Sequence, residues 1–213
     1  MEWFLKNIEF VLGLTITHLW VSLIPLVLGS LLAVVLAKFI PRKLVSSTNG
    51  LLSAVYAVPS LALFVALPAV IGTSYLGPTN VIIALTIYVI ASMFFSAHDA
   101  FAQVPESANF IARAQGLNPW QHFIHVELPL AVPGLIAGFR VAAASTVSMA
   151  SVGAVVGVRN LGYLFLDGFQ RKIAEEVVVG LLAIFVIALA LDLLIWLFGR
   201  ALTPWARKRA VNA

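Results

Sequence analysis

Five apolar runs, each about as long as a lipid bilayer is thick, leave this chain little choice of fold. They cover roughly residues 10–37, 50–71, 80–98, 130–157 and 176–199, and a membrane-crossing helix needs ~20 mostly apolar residues. Of 213 residues, 62% are hydrophobic and 10% charged, whereas a soluble domain is ~45–50% apolar and ~25% charged. Lipid must be the solvent. The runs lack the ~10-residue alternation of barrel strands, which excludes a β-barrel. The fold expected is all-α and polytopic, one transmembrane domain over residues 1–213 with five spanning helices. The opening "MEWFLKNIEF" mixes acids and bases and makes a poor signal peptide, so the N-terminus is read as retained. There are no cysteines, which excludes a thiolate metal or redox site. The net charge of +4 belongs to the loops and is no footprint for nucleic acid.

Lys and Arg in short loops set orientation. Lys38, Arg42, Lys43, Arg113, Arg200, Arg207, Lys208 and Arg209 fall on one side, and Lys6, Arg159, Arg171 and Lys172 on the other. The eight-residue side is expected to be cytoplasmic, with the N-terminus outside and the C-terminus inside a prokaryotic cell membrane.

One segment on that side is polar. Residues 105–129 carry Arg113, His122, His125 and Glu127 between apolar runs. Pro105 suits the first position of a helix, and Gly116 suits a left-handed end. Asn118-Pro119 reads as cap and first residue of a second short helix. In it Trp120, Phe123 and Ile124 share one face, and Gln121, His122 and His125 the other. Leu128-Pro129 is expected to end it and lead into the fourth span. The result is two short helices around a glycine elbow, open to two readings: an unpartnered hairpin at the membrane surface, or a docking element for a cytoplasmic protein.

The spacing Ala112, three residues, Gly116, nine residues, Val126, one residue, Leu128-Pro129 resembles the Glu-Ala-Ala motif of ABC importer permeases. It departs from the motif at Phe110 and Ile111, which replace Glu and the first Ala. Glu106-Ser107-Ala108 imitates the motif four residues out of register. "AVYAVPSLALFVALPAVIG" (54–72), "VELPLAVPGLIAGFRVAAAS" (126–145) and "GVRNLGYLFLDGFQ" (157–170) look like the glycine betaine, carnitine and choline branch. The third departs from it at Val158, Arg159 and Asn160. The resemblance implies a permease subunit that forms the translocation path of an ATP-driven importer, with a coupling loop at about 103–129. Phe110, Ile111, Ala112, Arg113, Gly116, Leu117, Trp120, Leu128 and Pro129 would dock the ATPase. Partners implied are two ATP-binding cassette subunits, a second permease chain (the same or a relative) and an extracytoplasmic binding protein. The chain has no glycine-rich phosphate loop ending in Lys-Ser/Thr, so ATP belongs to the partner, and neither a cofactor nor catalysis is expected here. The altered Phe110-Ile111 suggests a different permease, with an intact motif, as the second chain.

Gly134, Gly138, Ala142, Thr146, Ala150 and Ala154 recur every fourth residue, a ladder that lets another helix approach closely in lipid. That helix belongs either to this chain or to the second permease. Ser145, Ser148 and Met149 on the same helix, with Ser151, are candidates for the substrate path. So are Tyr56, Pro59 and Ser60, where Pro59 should kink the second span and Tyr56 can meet an onium group by cation–π attraction. Arg140 and Asp192 lie inside spans, where charge is costly unless paired, and are read as a structural ion pair. His18 reads as a packing residue, and His98-Asp99 as a solvated helix end. Other solutes, such as an amino acid, stay open. A proton-coupled transporter would need repeated halves or a carboxylate relay, and a membrane enzyme a convergent polar set; neither pattern is visible.

Overall fold

The computed structural model describes residues 2–74 and 77–205; Arg207, Lys208 and Arg209, used above for orientation, lie outside them. The described residues form helices and connecting turns, with no strand among them. A short α1 (Glu2–Lys6) precedes the long α2 (Ile8–Phe39). Then come α3 (Arg42–Ala57), α4 (Ser60–Ile71) and α5 (Pro78–Ala102). Next are α6 (Glu106–Ala114), α7 (Pro119–His122) and, after a π-helical turn at Phe123–Glu127, α8 (Leu128–Ala150). A 3-10 turn at Ser151–Val156 prolongs α8; α9 (Tyr163–Arg171) and α10 (Ala174–Leu202) follow.

Four helical stretches are long and apolar enough to cross a membrane alone: Ile8–Phe39, Pro78–Ala102, Pro119–Val156 and Ala174–Leu202. The expected second span, residues 50–71, is instead a bent pair, with α3 and α4 meeting at 104°. The cause is local. Val58 is extended at φ −65°, ψ 131°, as a residue before proline prefers, and Pro59 has no N–H to carry the ladder on. The kink foreseen at Pro59 is thus a complete break.

The pair still carries the chain across. Val21 of α2 shares a core cluster with Val81 and Leu85 near the start of α5, while Lys38 at the end of α2 lies over Phe101 at the end of α5. The two helices run parallel, so α3 and α4 must return the chain between them. Helix α8 runs antiparallel to α5, and α10 antiparallel to α8, so the described fold crosses five times.

Helix α5 is the axis. Val81, Ala84, Leu85, Ala91, Phe94 and Ala97 are fully buried. The small-residue ladder of α8 packs on it within this chain. A Cβ on Gly138 would stand 2.3 Å from the Cβ of Ser96, and one on Gly134 2.8 Å from that of Ala100. The alternative placing of this ladder, at a seam with a second permease, is therefore set aside. Helix α10 sits outermost, with 11% of its most apolar window buried, as suits a helix facing lipid.

Candidate functional site: the elbow between α6 and α7

Helix α6 begins at Glu106, with Pro105 as the extended residue before it rather than the first helical one. Its exit is the expected left-handed glycine: Gly116 has φ +72°. The N–H of Gly116 donates to the Arg113 carbonyl (3.0 Å) and that of Leu117 to the Ala112 carbonyl (3.2 Å), the paired bonds of a glycine-terminated helix. Ala112 is the buried anchor of α6, 2% exposed.

Asn118 then caps α7. Its Oδ1 accepts from the Gln121 N–H at 2.9 Å, and its own N–H donates to Gln121 Oε1 at 3.1 Å, a reciprocal capping box. His122 Nε2 donates to Asn109 Oδ1 at 3.0 Å and ties α7 back to α6. His122 is therefore half-buried structure, and only His125 of the two histidines is exposed.

The elbow's outer surface is apolar. Phe110, Ile111 and Trp120 are 68%, 55% and 66% exposed. Around them are the exposed Arg113, which pairs with Glu106 at 2.5 Å, and the half-buried Leu117. Large exposed rings beside a charged rim mark an interaction surface.

Leu128-Pro129 does not end α7. The chain stays helical from Pro119 to Val156, widened by the π turn, in which the Leu128 N–H donates to the Phe123 carbonyl. Pro129 lacks an N–H and its ring crowds the carbonyl four residues back; the wider turn removes that conflict. Helix α7, the second arm of the elbow, is thus a continuous extension of α8.

Sequence reasoning missed the junction beneath the elbow. Lys38 at the end of α2 forms an ion pair with Glu127. Phe123 lies among Phe39, Phe101 and Trp120, with ring centroids 6.3, 6.1 and 6.0 Å away.

The other candidates are dispersed. Tyr56 stands edge-on to Tyr88 at 6.0 Å, and the Tyr88 hydroxyl donates to the Val58 carbonyl, freed by the helix break, at 2.5 Å. Pro59 and Ser60 open α4. On α8, Val141, Ala144 and Ser148 lie exposed along one side, with Ser145 half-buried beside them. Ser151 Oγ donates to the Ser148 carbonyl at 2.7 Å. Met149 packs instead against the cluster holding Phe64 and Leu67 of α4. The Arg140 guanidinium donates to both oxygens of Asp192, at 2.6 and 2.7 Å, and joins α8 to α10. His18 is fully buried, its Nε2 donating to the Val147 carbonyl at 3.0 Å.

At the opposite end from the elbow, α9 was not foreseen. A cleft of about 240 Å³ there is lined by Arg159, Tyr163, Asp167 and Gln170, among others. Arg171 donates to Asp167 at 2.9 Å, and this bond holds the Asp167 carboxyl below the usual carboxylate range. Asn160, one of the departures in 157–170, is fully buried; it donates to the Ala150 carbonyl and accepts from the Gly162 N–H. It locks the turn after α8.

Comparison with known proteins follows the same outline. Residues 26–208 match the family model described as binding-protein-dependent transport system inner membrane component. The osmoprotectant import permease protein OsmW of Salmonella typhimurium is 28% identical over 209 residues, covering 96% of this chain and 97% of that protein. The carnitine transport permease protein OpuCB of Listeria monocytogenes is 26% identical over 212 residues, 99% and 96% of the two chains. Among solved structures, an inward-facing methionine ABC transporter, MetNI, superposes with a TM-score of 0.81 at 20% identity, over 93% of this chain and 98% of its own, a likeness of fold.

Proposed function

Because this chain belongs to the family of binding-protein-dependent transport system inner membrane components, we propose that its elbow is where ATP-driven motion enters the membrane domain. The chain is an ABC importer permease. In our reading its solutes are quaternary-ammonium osmoprotectants such as glycine betaine, carnitine or choline, the substrate class in the names of its relatives. In this reading the elbow and the end of α10 face the cytoplasm and the N-terminus lies outside, which the placing of α1 and the elbow at opposite ends of the spans supports. A separate ATPase binds ATP and receives Phe110, Ile111 and Trp120 in a cleft; an extracytoplasmic binding protein delivers solute to the other face. The complete importer holds two ATPases and a second permease, the same chain or a relative. The side of α8 bearing Ser145 and Ser148, with Tyr56 and Ser60 near the break, lines the path. The chain itself carries out no catalysis.

One observation carries the coupling role. The exposed Trp120 sits on α7, which runs without a break into a helix that crosses the membrane, and the His122–Asn109 bond holds α6, with Phe110 and Ile111, to it across the Gly116 turn. The test is Gly116→Asp. Apart from its chain neighbours, nothing lies within 4 Å of a Cβ built there, so the substitution acts through the left-handed backbone, at about 1 kcal/mol, and through the charge placed in the docking face. Membrane insertion and binding-protein association should stay intact, while ATPase co-purification weakens and ATP-dependent uptake is lost. Normal uptake at wild-type expression would remove the coupling role. Competition of labelled glycine betaine uptake by carnitine and choline, but not by methionine or histidine, supports the solute class; the reverse order assigns an amino-acid importer.

A further inference from the structure

Lys38 closes α2 and Glu127 closes the π turn, 89 residues apart in sequence, yet their side chains meet in an ion pair only 23% and 16% exposed. The Lys38 ammonium also lies 5.6 Å from the centre of the Phe123 ring and 5.9 Å from that of Phe101, within cation–π range of both. Phe123 packs on Phe39, Phe101 and Trp120. One junction therefore gathers the ends of α2 and α5 and the root of α8, and Trp120 leads from it to the elbow's outer surface. Another pair at this end, Arg113–Glu106, is 62% and 79% exposed and belongs to the class of surface pairs that contribute little. The Lys38–Glu127 pair is shielded, so removing one partner strands a partly buried charge.

We propose that Lys38 and Glu127 form a latch, a pair of positioning residues through which displacement of the elbow moves α2 together with α5 and α8. Without it the elbow keeps its helical continuation into α8 and its three-residue link to α5, but α2 is held only through ring contacts such as Phe39 with Phe123. Helix α2 would then lag behind α5 and α8, and the path between the helices would not change shape as one body. This inference rests on the reading of the elbow as the ATPase-docking element, and it makes a separate demand. The latch governs how much transport each hydrolysed ATP delivers, not whether the ATPase binds.

The test uses the full importer, with ATPase and binding protein, reconstituted in proteoliposomes that report uptake and ATP hydrolysis together. Wild-type protein that neither binds the ATPase nor takes up solute refutes the docking reading itself. With that control in hand, Lys38→Met and Glu127→Gln should retain the ATPase and hydrolyse ATP within about twofold of wild type, while uptake per ATP falls about tenfold, as for loss of a shielded charge partner. The exchange Lys38→Glu with Glu127→Lys should recover much of that ratio. The chain has no native cysteine, so the pair K38C/E127C gives a second reading even where a single variant accumulates poorly. It should be uncoupled as made and recoupled by a short bis-maleimide cross-link. An unchanged uptake-to-hydrolysis ratio in the single variants, or a cross-link that leaves the cysteine pair uncoupled, overturns the latch.

Discussion

Glycines of this chain that look alike in sequence do opposite jobs. Gly13 lies exposed on α2 with nothing within 4 Å of a built Cβ. Gly138 lies on α8 where that atom would meet Ser96 at 2.3 Å. Alanine at residue 13 should stabilise the protein by about 0.5–1 kcal/mol, since it only removes backbone freedom from the unfolded chain. Alanine at residue 138 should destabilise by about 1–3 kcal/mol through overpacking, and Ser96→Gly should relieve most of that. Thermal unfolding in detergent reads both. A destabilised Gly13→Ala, or a Gly138→Ala that Ser96→Gly cannot rescue, would contradict the packing described. The four-residue ladder was legible in the sequence, because helical spacing alone puts Gly134 and Gly138 on one face. Its partner was not. Spacing says that something packs closely, and only the tertiary arrangement says that the something is α5 of the same chain.

At the scale of elements, long apolar runs were readable and short connectors were not. The five crossings follow from hydrophobic length, a signal accumulated over ~20 residues. Helix α9 has nine residues, too few for any such sum, and its order comes from contacts such as Tyr163 with Phe10, ring centroids 5.9 Å apart. Gly116 and Asn118 were legible because a left-handed turn and a helix cap each demand a particular local chemistry. The π turn and the Lys38–Glu127 pair were not, because they arise where separate helices converge. Between these extremes stands α10. Its charge, Asp192, pointed to Arg140 from cost alone, and the structure supplies the bidentate bond. The buried residues of α10 lie at its ends, Glu176, Val179 and Gly180 at one and Gly199 at the other, so Asp192→Asn should loosen the middle of α10 in particular. Proteolysis or thiol labelling of introduced cysteines along α10 should rise in Asp192→Asn and in Arg140→Gln, and fall again when Arg140→Asp is combined with Asp192→Arg. Equal labelling in the singles and the exchanged pair would leave the bond without a structural role.

For the molecule as a whole, the uninterrupted helical stretch Pro119–Val156 has a mechanical consequence. Its 38 residues at 1.5 Å each make a rod of roughly 57 Å. The rod is clasped near its middle, where Gly138 leaves no gap to Ser96. A stiff rod held at its middle is a seesaw. Pushing the elbow toward the transporter's axis swings the Ser151–Val156 end away from it, and releasing the elbow reverses both. Spin labels at the exposed rod residues His125 and Val155 should then keep one separation within the chain through the ATP cycle, while each shifts in the opposite sense relative to a fixed label on the second permease. A changing separation would mean that the rod bends. If it holds, closure on one side and opening on the other are a single tilt about Ser96, and no signal has to travel between the two faces.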